Sequence, residues 1–238
     1  MAAFVLVHGS WHGGWCWQKV ARLLRKSGHE VYTPTLTGLG ERSHLATKTS
    51  GLELHIQDIL NVLEFEDLHE VVLVGHSYAG LVITGVAERA PGRVARLVYL
   101  DAFIPHDGQS AFDMLPGAEK EWTQQAAEQG DGWLVPPLPP SVMGITDPAD
   151  IAWVQDRLTP LPIFTHQQPY RLTSAAALQL PKTYVLCTGF GFQSTAREAQ
   201  SLGWDYFELE TGHDAMITMP DELAGIFNSL VSNKIAQQ

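Results

Sequence analysis

Six consecutive residues, Gly75-His76-Ser77-Tyr78-Ala79-Gly80, place a serine between a buried apolar run and a helical pattern. A sharp strand-to-helix turn of the G-x-S-x-G type lifts a serine hydroxyl clear of its sheet and makes it available as a nucleophile. The turn is crowded, so its flanking positions must be small. Gly75 satisfies this, while the fifth position is Ala79, with Gly80 following. The plain alternative for Ser77 is a cap on the helix that starts there.

A nucleophilic serine needs a base. Of ten histidines, His213 is the best placed. It lies in Thr211-Gly212-His213-Asp214, after the last expected strand and before a closing helix, which brings it to the same sheet edge as Ser77. His76 reads as a packing residue. His29, His44, His55, His69, His106 and His166 read as solvated or structural. The negative charge that develops on an attacked carbonyl needs backbone N–H donors. Tyr78, the residue after the serine, supplies one. The loop His8-Gly9-Ser10-Trp11-His12-Gly13-Gly14 supplies the other, assigned to Ser10. The acid that should orient His213 is missing from its usual place, since residues 188–194 hold no carboxylate. Asp101, at the end of the strand in Val98-Tyr99-Leu100-Asp101, is the leading candidate, with Asp214, Glu210 and Asp107 as alternatives. No histidine and carboxylate spacing suits a metal, so no metal and no cofactor is expected.

These residues need a scaffold that brings several loops to one edge, and the chain alternates short β-branched runs with helical patterns. Strands are expected at 4–7, 30–36, 71–74, 96–100, 182–187 and 204–208. Helices are expected at 17–27, 52–66, 78–89, 194–202 and 221–231, the second with Leu54, Ile56, Ile59, Leu60 and Leu63 facing inward. This order predicts an α/β fold: a mostly parallel sheet of about six strands, covered by helices on both faces. Residues 105–180 break the rhythm. They carry proline clusters and many aromatics but no convincing strand, as a helical cap inserted between the fourth and fifth strands would. The organisation is thus a core of residues 1–104 and 181–238 with a cap of 105–180. Trp11, Trp133, Trp153 and Met216 are the candidate pocket residues over Ser77.

Composition sets the outer limits. In 238 residues, Lys plus Arg number 15 and Asp plus Glu 26, a net charge of −11. So acidic a surface is a poor partner for nucleic acid or an anionic membrane. Two cysteines, Cys16 and Cys187, read as buried free thiols and not as a disulfide framework. No apolar run is long enough to span a membrane, and the N-terminal segment reads as a strand and not a signal peptide. The expected setting is cytoplasmic, with a small-molecule substrate; a homodimer is compatible with the sequence.

The chain resembles the α/β-hydrolase superfamily, and within it the small esterases grouped with plant methylesterases and hydroxynitrile lyases. The resemblance rests on Phe4 through Trp15, on Gly75 through Gly80, and on Gly212-His213 with Met216-Ile217-Thr218. A looser likeness extends to bacterial carbendazim- and pyrethroid-hydrolysing esterases. What it implies is a serine esterase acting through Ser77, His213 and an acid. Lyases of the group carry a threonine after the first-strand histidine and a lysine after the catalytic histidine. Here these positions are Gly9 and Asp214, which argues against cyanohydrin cleavage. The acid departs from the group, whose members place an aspartate after the strand equivalent to 182–187. Tyr99 through Phe103 instead resembles haloalkane dehalogenases, which carry an acid at this strand end but use an aspartate nucleophile where this chain has Ser77. The expected activity is hydrolysis of carboxylic esters of small hydrophobic or aromatic substrates. Carbamate or amide hydrolysis, or a non-catalytic small-molecule receptor, are the alternatives.

Overall fold

Strands β1 (Ala3–Val7), β2 (Glu30–Tyr32), β3 (Val71–His76) and β4 (Val94–Leu100) alternate with helices α1 (Gln18–Lys26), α2 (Leu52–Phe65) and α3 (Ala79–Arg89) in the computed structural model, which describes residues 1–232. After β4 the chain runs through α4 (Ala118–Gln129), β5 (Leu134–Val135), α5 (Pro148–Gln155), β6 (Leu161–Pro162), α6 (Phe164–Gln167) and α7 (Ala175–Leu178). It returns through β7 (Lys182–Cys187), α8 (Gln193–Ser201), β8 (Asp205–Leu209), α9 (Ala215–Thr218) and α10 (Pro220–Ser232). The main sheet has the order β2-β1-β3-β4-β7-β8, and every pair in it is parallel.

The strands are apolar throughout because both faces are covered. Side chains alternate in direction along each strand, so the sheet feeds two cores. Phe4, Leu6, Val72, Val74, Val98, Leu100 and Val185 pack with Val20 and Leu24 of α1 and Leu223 and Phe227 of α10. Val5, Val7, Leu73, Leu97, Tyr99 and Leu186 pack with α2, α3 and α8 on the opposite face. Since all six strands point the same way, their carboxyl ends and the following loops meet at one edge, where open parallel sheets bind ligands.

The segment between β4 and β7 lies over that edge. Helices predominate among its regular elements, and it also holds a two-residue antiparallel pairing of β5 with β6, which corrects the expectation of no strand. Leu54 is a second correction. It is exposed, because the buried stripe of α2 runs through Leu52, Ile56, Ile59 and Leu63 and leaves it to one side. Cys16 and Cys187 are buried free thiols. No helix among the described residues is long and apolar enough to cross a membrane.

Candidate active site

The elbow is built by backbone strain held in place by neighbours. Ser77 adopts φ +56°, a conformation that non-glycine residues rarely take. Its N–H donates to the Leu100 carbonyl at 3.1 Å, and its own carbonyl accepts from Gly80 and Phe103. A Cβ at Gly75 would come within 2.6 Å of the Ala79 carbonyl oxygen, so this position must be glycine. The Ala79 side chain is accommodated and buried. Gly80 serves a different purpose: a Cβ there would lie 2.1 Å from the Phe103 carbonyl oxygen, where α3 crosses the segment after β4. Gly80→Ala is therefore expected to destabilise the fold by about 2–3 kcal/mol, read as a lowered urea midpoint with an unchanged m-value.

Asp101 and His213 meet at this edge. Asp101 stands one residue beyond β4, at φ +42°, with its N–H on the Val185 carbonyl. Its Oδ2 accepts from His213 Nδ1 at 2.6 Å, and its Oδ1 accepts from the Cys187 N–H at 3.1 Å. Burial pushes the Asp101 carboxyl up from its ordinary value, against the pull of His213 and the Cys187 N–H. Asp101 reaches the ring because β4 lies between β3, which carries Ser77, and β7, which precedes the loop beside His213. Phe190 and Phe192, from that loop, stack on the His213 ring with centroids at 4.2 and 5.5 Å. The His76 ring lies 4.4 Å from that of His213, and its Nε2–H donates to the His213 carbonyl. Ser77 Oγ and His213 Nε2 make no hydrogen bond to each other or to any other group among the described residues.

Both expected N–H donors face no protein acceptor. Those of Ser10 and Tyr78 are unbonded among the described residues. Tyr78 precedes the first turn of α3, where the helix dipole adds positive potential. Its hydroxyl donates to His55 Nδ1 at 3.1 Å, and His55 Nε2–H donates to the Thr37 carbonyl. His166, from α6, donates through Nδ1 to Thr165 Oγ1, whose own proton goes to the Pro162 carbonyl. Its Nε2 must therefore accept, and the Ser10 hydroxyl donates to it at 3.2 Å. Only the backbone of Ser10 remains to serve a substrate. Ser10→Ala is expected to cost about 1–3 kcal/mol of stability, because it strands the buried His166 acceptor. The same change should leave kcat well short of the roughly 10²–10³-fold loss that follows removal of an oxyanion donor.

The loop after β1 is fastened to the overlying segment. The Trp11 indole donates to the Val135 carbonyl, the Thr159 N–H donates to the Trp11 carbonyl, and the Trp11 ring packs on Trp122 at 5.1 Å. Trp11 is thereby buried, as part of the core on the α2–α3 side of the sheet. Trp133 is half-buried beside the β5–β6 pairing, and its ring stacks on no other among the described residues. Two pocket assignments are corrected. Met216 is fully buried in the core shared with α1 and α10. Trp153 packs against that same core, edge-on to Trp15 and beneath the Arg157 guanidinium. Phe190 and Phe192, against His213, are the rings the sequence reading missed. The Phe-Gly-Phe of residues 190–192, in the loop searched for a carboxylate, was the available signal. No cluster of metal-ligating side chains occurs among the described residues.

A strained serine elbow, a buried carboxylate–histidine pair and two free N–H groups together define a class, and the comparison with known families agrees. Residues 4–226 match the model of the alpha/beta hydrolase family, and the chain belongs to that family. It is 42% identical over 237 residues to the carbendazim hydrolyzing esterase of Nocardioides sp. (strain SG-4G), covering 94% of this chain and 97% of that protein. It is 31% identical over 186 residues to the putative chloroplastic methylesterase 14 of Arabidopsis thaliana, covering 72% of this chain and 53% of that one. Among solved structures, an extracellular alpha/beta-hydrolase from a Paenibacillus species, described as sharing structural and functional homology with tobacco salicylic acid binding protein 2, superposes with a TM-score of 0.81. That match has 27% identity and covers 95% of this chain and 98% of the other.

Proposed function

We propose that this chain is a serine hydrolase that cleaves carboxylic esters of small hydrophobic or aromatic substrates through an acyl-enzyme on Ser77. The observation that carries the reading is the 2.6 Å Asp101–His213 contact at the same sheet edge as an elbow serine at φ +56°. His213 Nε2 takes the Ser77 proton as Oγ attacks the ester carbonyl. The N–H groups of Ser10 and Tyr78 hold the oxyanion, and His213 returns the proton to the leaving alcohol. Water, deprotonated by His213, then releases the acid. Asp101 orients the ring and stabilises the imidazolium. The rings of Phe190, Phe192, Trp11 and Trp122 around these groups favour an apolar or flat substrate. Esterases among the relatives support an ester as the bond cleaved.

A lyase mechanism through a side chain at position 9 has no room. A Cβ at Gly9 would lie 2.8 Å from Ser77 Cβ and 3.0 Å from His76 Nδ1. Carbamates and amides use the same acyl-transfer groups, and a receptor would bind without turning over. One experiment separates these readings. With excess p-nitrophenyl acetate, the expected result is a burst of about one equivalent of nitrophenolate. A fluorophosphonate should add to Ser77 alone, read by peptide mass spectrometry. Absence of both burst and adduct would overturn the hydrolase reading, and a panel of one ester, one carbamate and one amide then ranks the acyl donors.

A further inference from the structure

His12 and Asp214 lie outside the roles assigned so far, yet both are buried next to them. Asp214 follows His213 directly, and His12 closes the loop that carries Ser10. His12 Nε2 lies 3.2 Å from Asp214 Oδ2, and His12 Nδ1 lies 2.8 Å from the Ser10 carbonyl oxygen. Both partners are acceptors, since a carbonyl cannot donate and an ionised carboxylate cannot either. Only a ring with protons on both nitrogens satisfies the two contacts together. His12 also lies over Trp15, with centroids 5.3 Å apart and planes at 26°, a face that favours a cation.

The neighbouring His76 cannot take this role. Its single useful N–H, on Nε2, is given to the His213 carbonyl, and its Nδ1 is buried with no acceptor to receive a second proton. His76 Nε2 is 3.7 Å from Asp214 Oδ1, beyond hydrogen-bond distance. The electrostatics run the same way. Burial and the charge on His213 hold His76 well below its ordinary value. Burial opposes charge on His12, but Asp214 outweighs it and raises the imidazole; in return His12 lowers Asp214 to about 2.

We propose that His12 is a positioning residue, kept as an imidazolium by Asp214, that locks the Ser10 carbonyl and so fastens the oxyanion loop to the segment carrying His213. The proposal rests on the hydrolase reading for its kinetic consequence only. A buried carboxylate left without His12 would also compete with Asp101 for the positive charge that His213 acquires during the reaction. The pair therefore keeps the oxyanion donors in register and the base correctly partnered. The titratable groups packed around it are His8, Cys16, His76, Asp101, Cys187 and His213.

The test uses the full chain labelled with [15N]histidine. In a two-bond correlation spectrum at pH 8, where an ordinary imidazole is neutral, both His12 nitrogens should be protonated. The signal is assigned by its loss in His12→Gln. In Asp214→Asn, His12 should carry a proton on Nδ1 alone. The asparagine amide still satisfies Nε2, so this variant removes charge with little change of shape. In His12→Gln, whose one side-chain amide cannot reach both acceptors, the lock is broken and the Asp214 carboxylate is left unpaired. The kcat of His12→Gln for p-nitrophenyl acetate should fall about 10–100-fold with KM within about twofold, the mark of an interaction that matters in the transition state. In wild type, loss of activity at alkaline pH should follow the His12 titration seen by NMR, and in Asp214→Asn, whose neutral ring keeps both contacts, that alkaline loss should be absent. A neutral His12 in wild type at pH 8 overturns the proposal, as does a His12→Gln enzyme with wild-type kcat. If His12→Gln does not fold, the wild-type titration decides alone. A wild type that cleaves no ester sinks the hydrolase reading and leaves the NMR result standing.

Discussion

Ser77→Ala is expected to lower kcat/KM for an activated ester by about a millionfold, the scale seen when a triad nucleophile is removed. The fold should not notice. Ser77 Oγ makes no hydrogen bond within the described residues, so its removal leaves no stranded partner. The backbone bonds that hold φ +56° are those of Leu100, Gly80 and Phe103, and alanine retains them all. Stability should stay within about 0.5 kcal/mol of wild type. Rates measured side by side with a melting curve test both halves. A variant that keeps more than about 1% of wild-type turnover places the nucleophile elsewhere, since even incomplete triads lose far more.

Asp101→Asn is expected to lower kcat by about 10⁴-fold while leaving the protein as stable as before, or more so. The Cys187 N–H decides the first part. It needs an acceptor at 3.1 Å, so the asparagine carbonyl oxygen stays on it and the amide NH₂ turns toward His213. His213 Nδ1 must then accept, which places the ring proton on Nε2, where the serine proton needs to go. The stability follows from linkage. The Asp101 carboxyl is raised by burial, so the folded protein binds its proton more tightly than the unfolded chain does. The stabilisation from that bound proton is complete at acid pH. It is lost as pH rises from the ordinary carboxylate value through the raised one. At neutral pH a neutral amide escapes that penalty. The observation to make is a melting temperature at pH 7 equal to or above wild type, alongside kinetics. A lowered melting temperature with a small kinetic effect would assign Asp101 to structure and open the search for another acid.

The placement of Ser77 and His213 at one sheet edge was legible because each sits in a local pattern: a strand-to-helix turn with a small flanking residue, and a histidine just past the last strand. Asp101 was legible by its strand end, once residues 188–194 proved to hold no carboxylate. Other features depend on partners far along the chain. Asp214 is too close to His213 to turn back on its ring, and it instead meets His12, 202 positions away. Nothing local announces that pairing. Apolar residue type likewise does not say which core a side chain enters, so Trp153 and Met216 joined the α1–α10 side. The β5–β6 pairing, of two residues each with a proline in one strand, is too short to leave a periodic trace. Leu54 shows the limit of reading a helix by apolar content, because the stripe and not the residue type determines burial.

With Asp101, just past β4, as the carboxylate on His213, the loop of residues 188–194 carries no charged side chain. Its contribution is the wall of Phe190 and Phe192 against His213. That makes it the natural place for directed evolution of substrate range. A library at these two phenylalanines reshapes the wall while Ser77, His213, Asp101 and both oxyanion donors stay in their seats. Gly189 has to be excluded from such a library, because a Cβ there would press to 2.8 Å on the Thr211 carbonyl, two residues before the base. On the proposed mechanism, an acid just past β4 thus separates what performs the reaction from what selects the molecule that undergoes it.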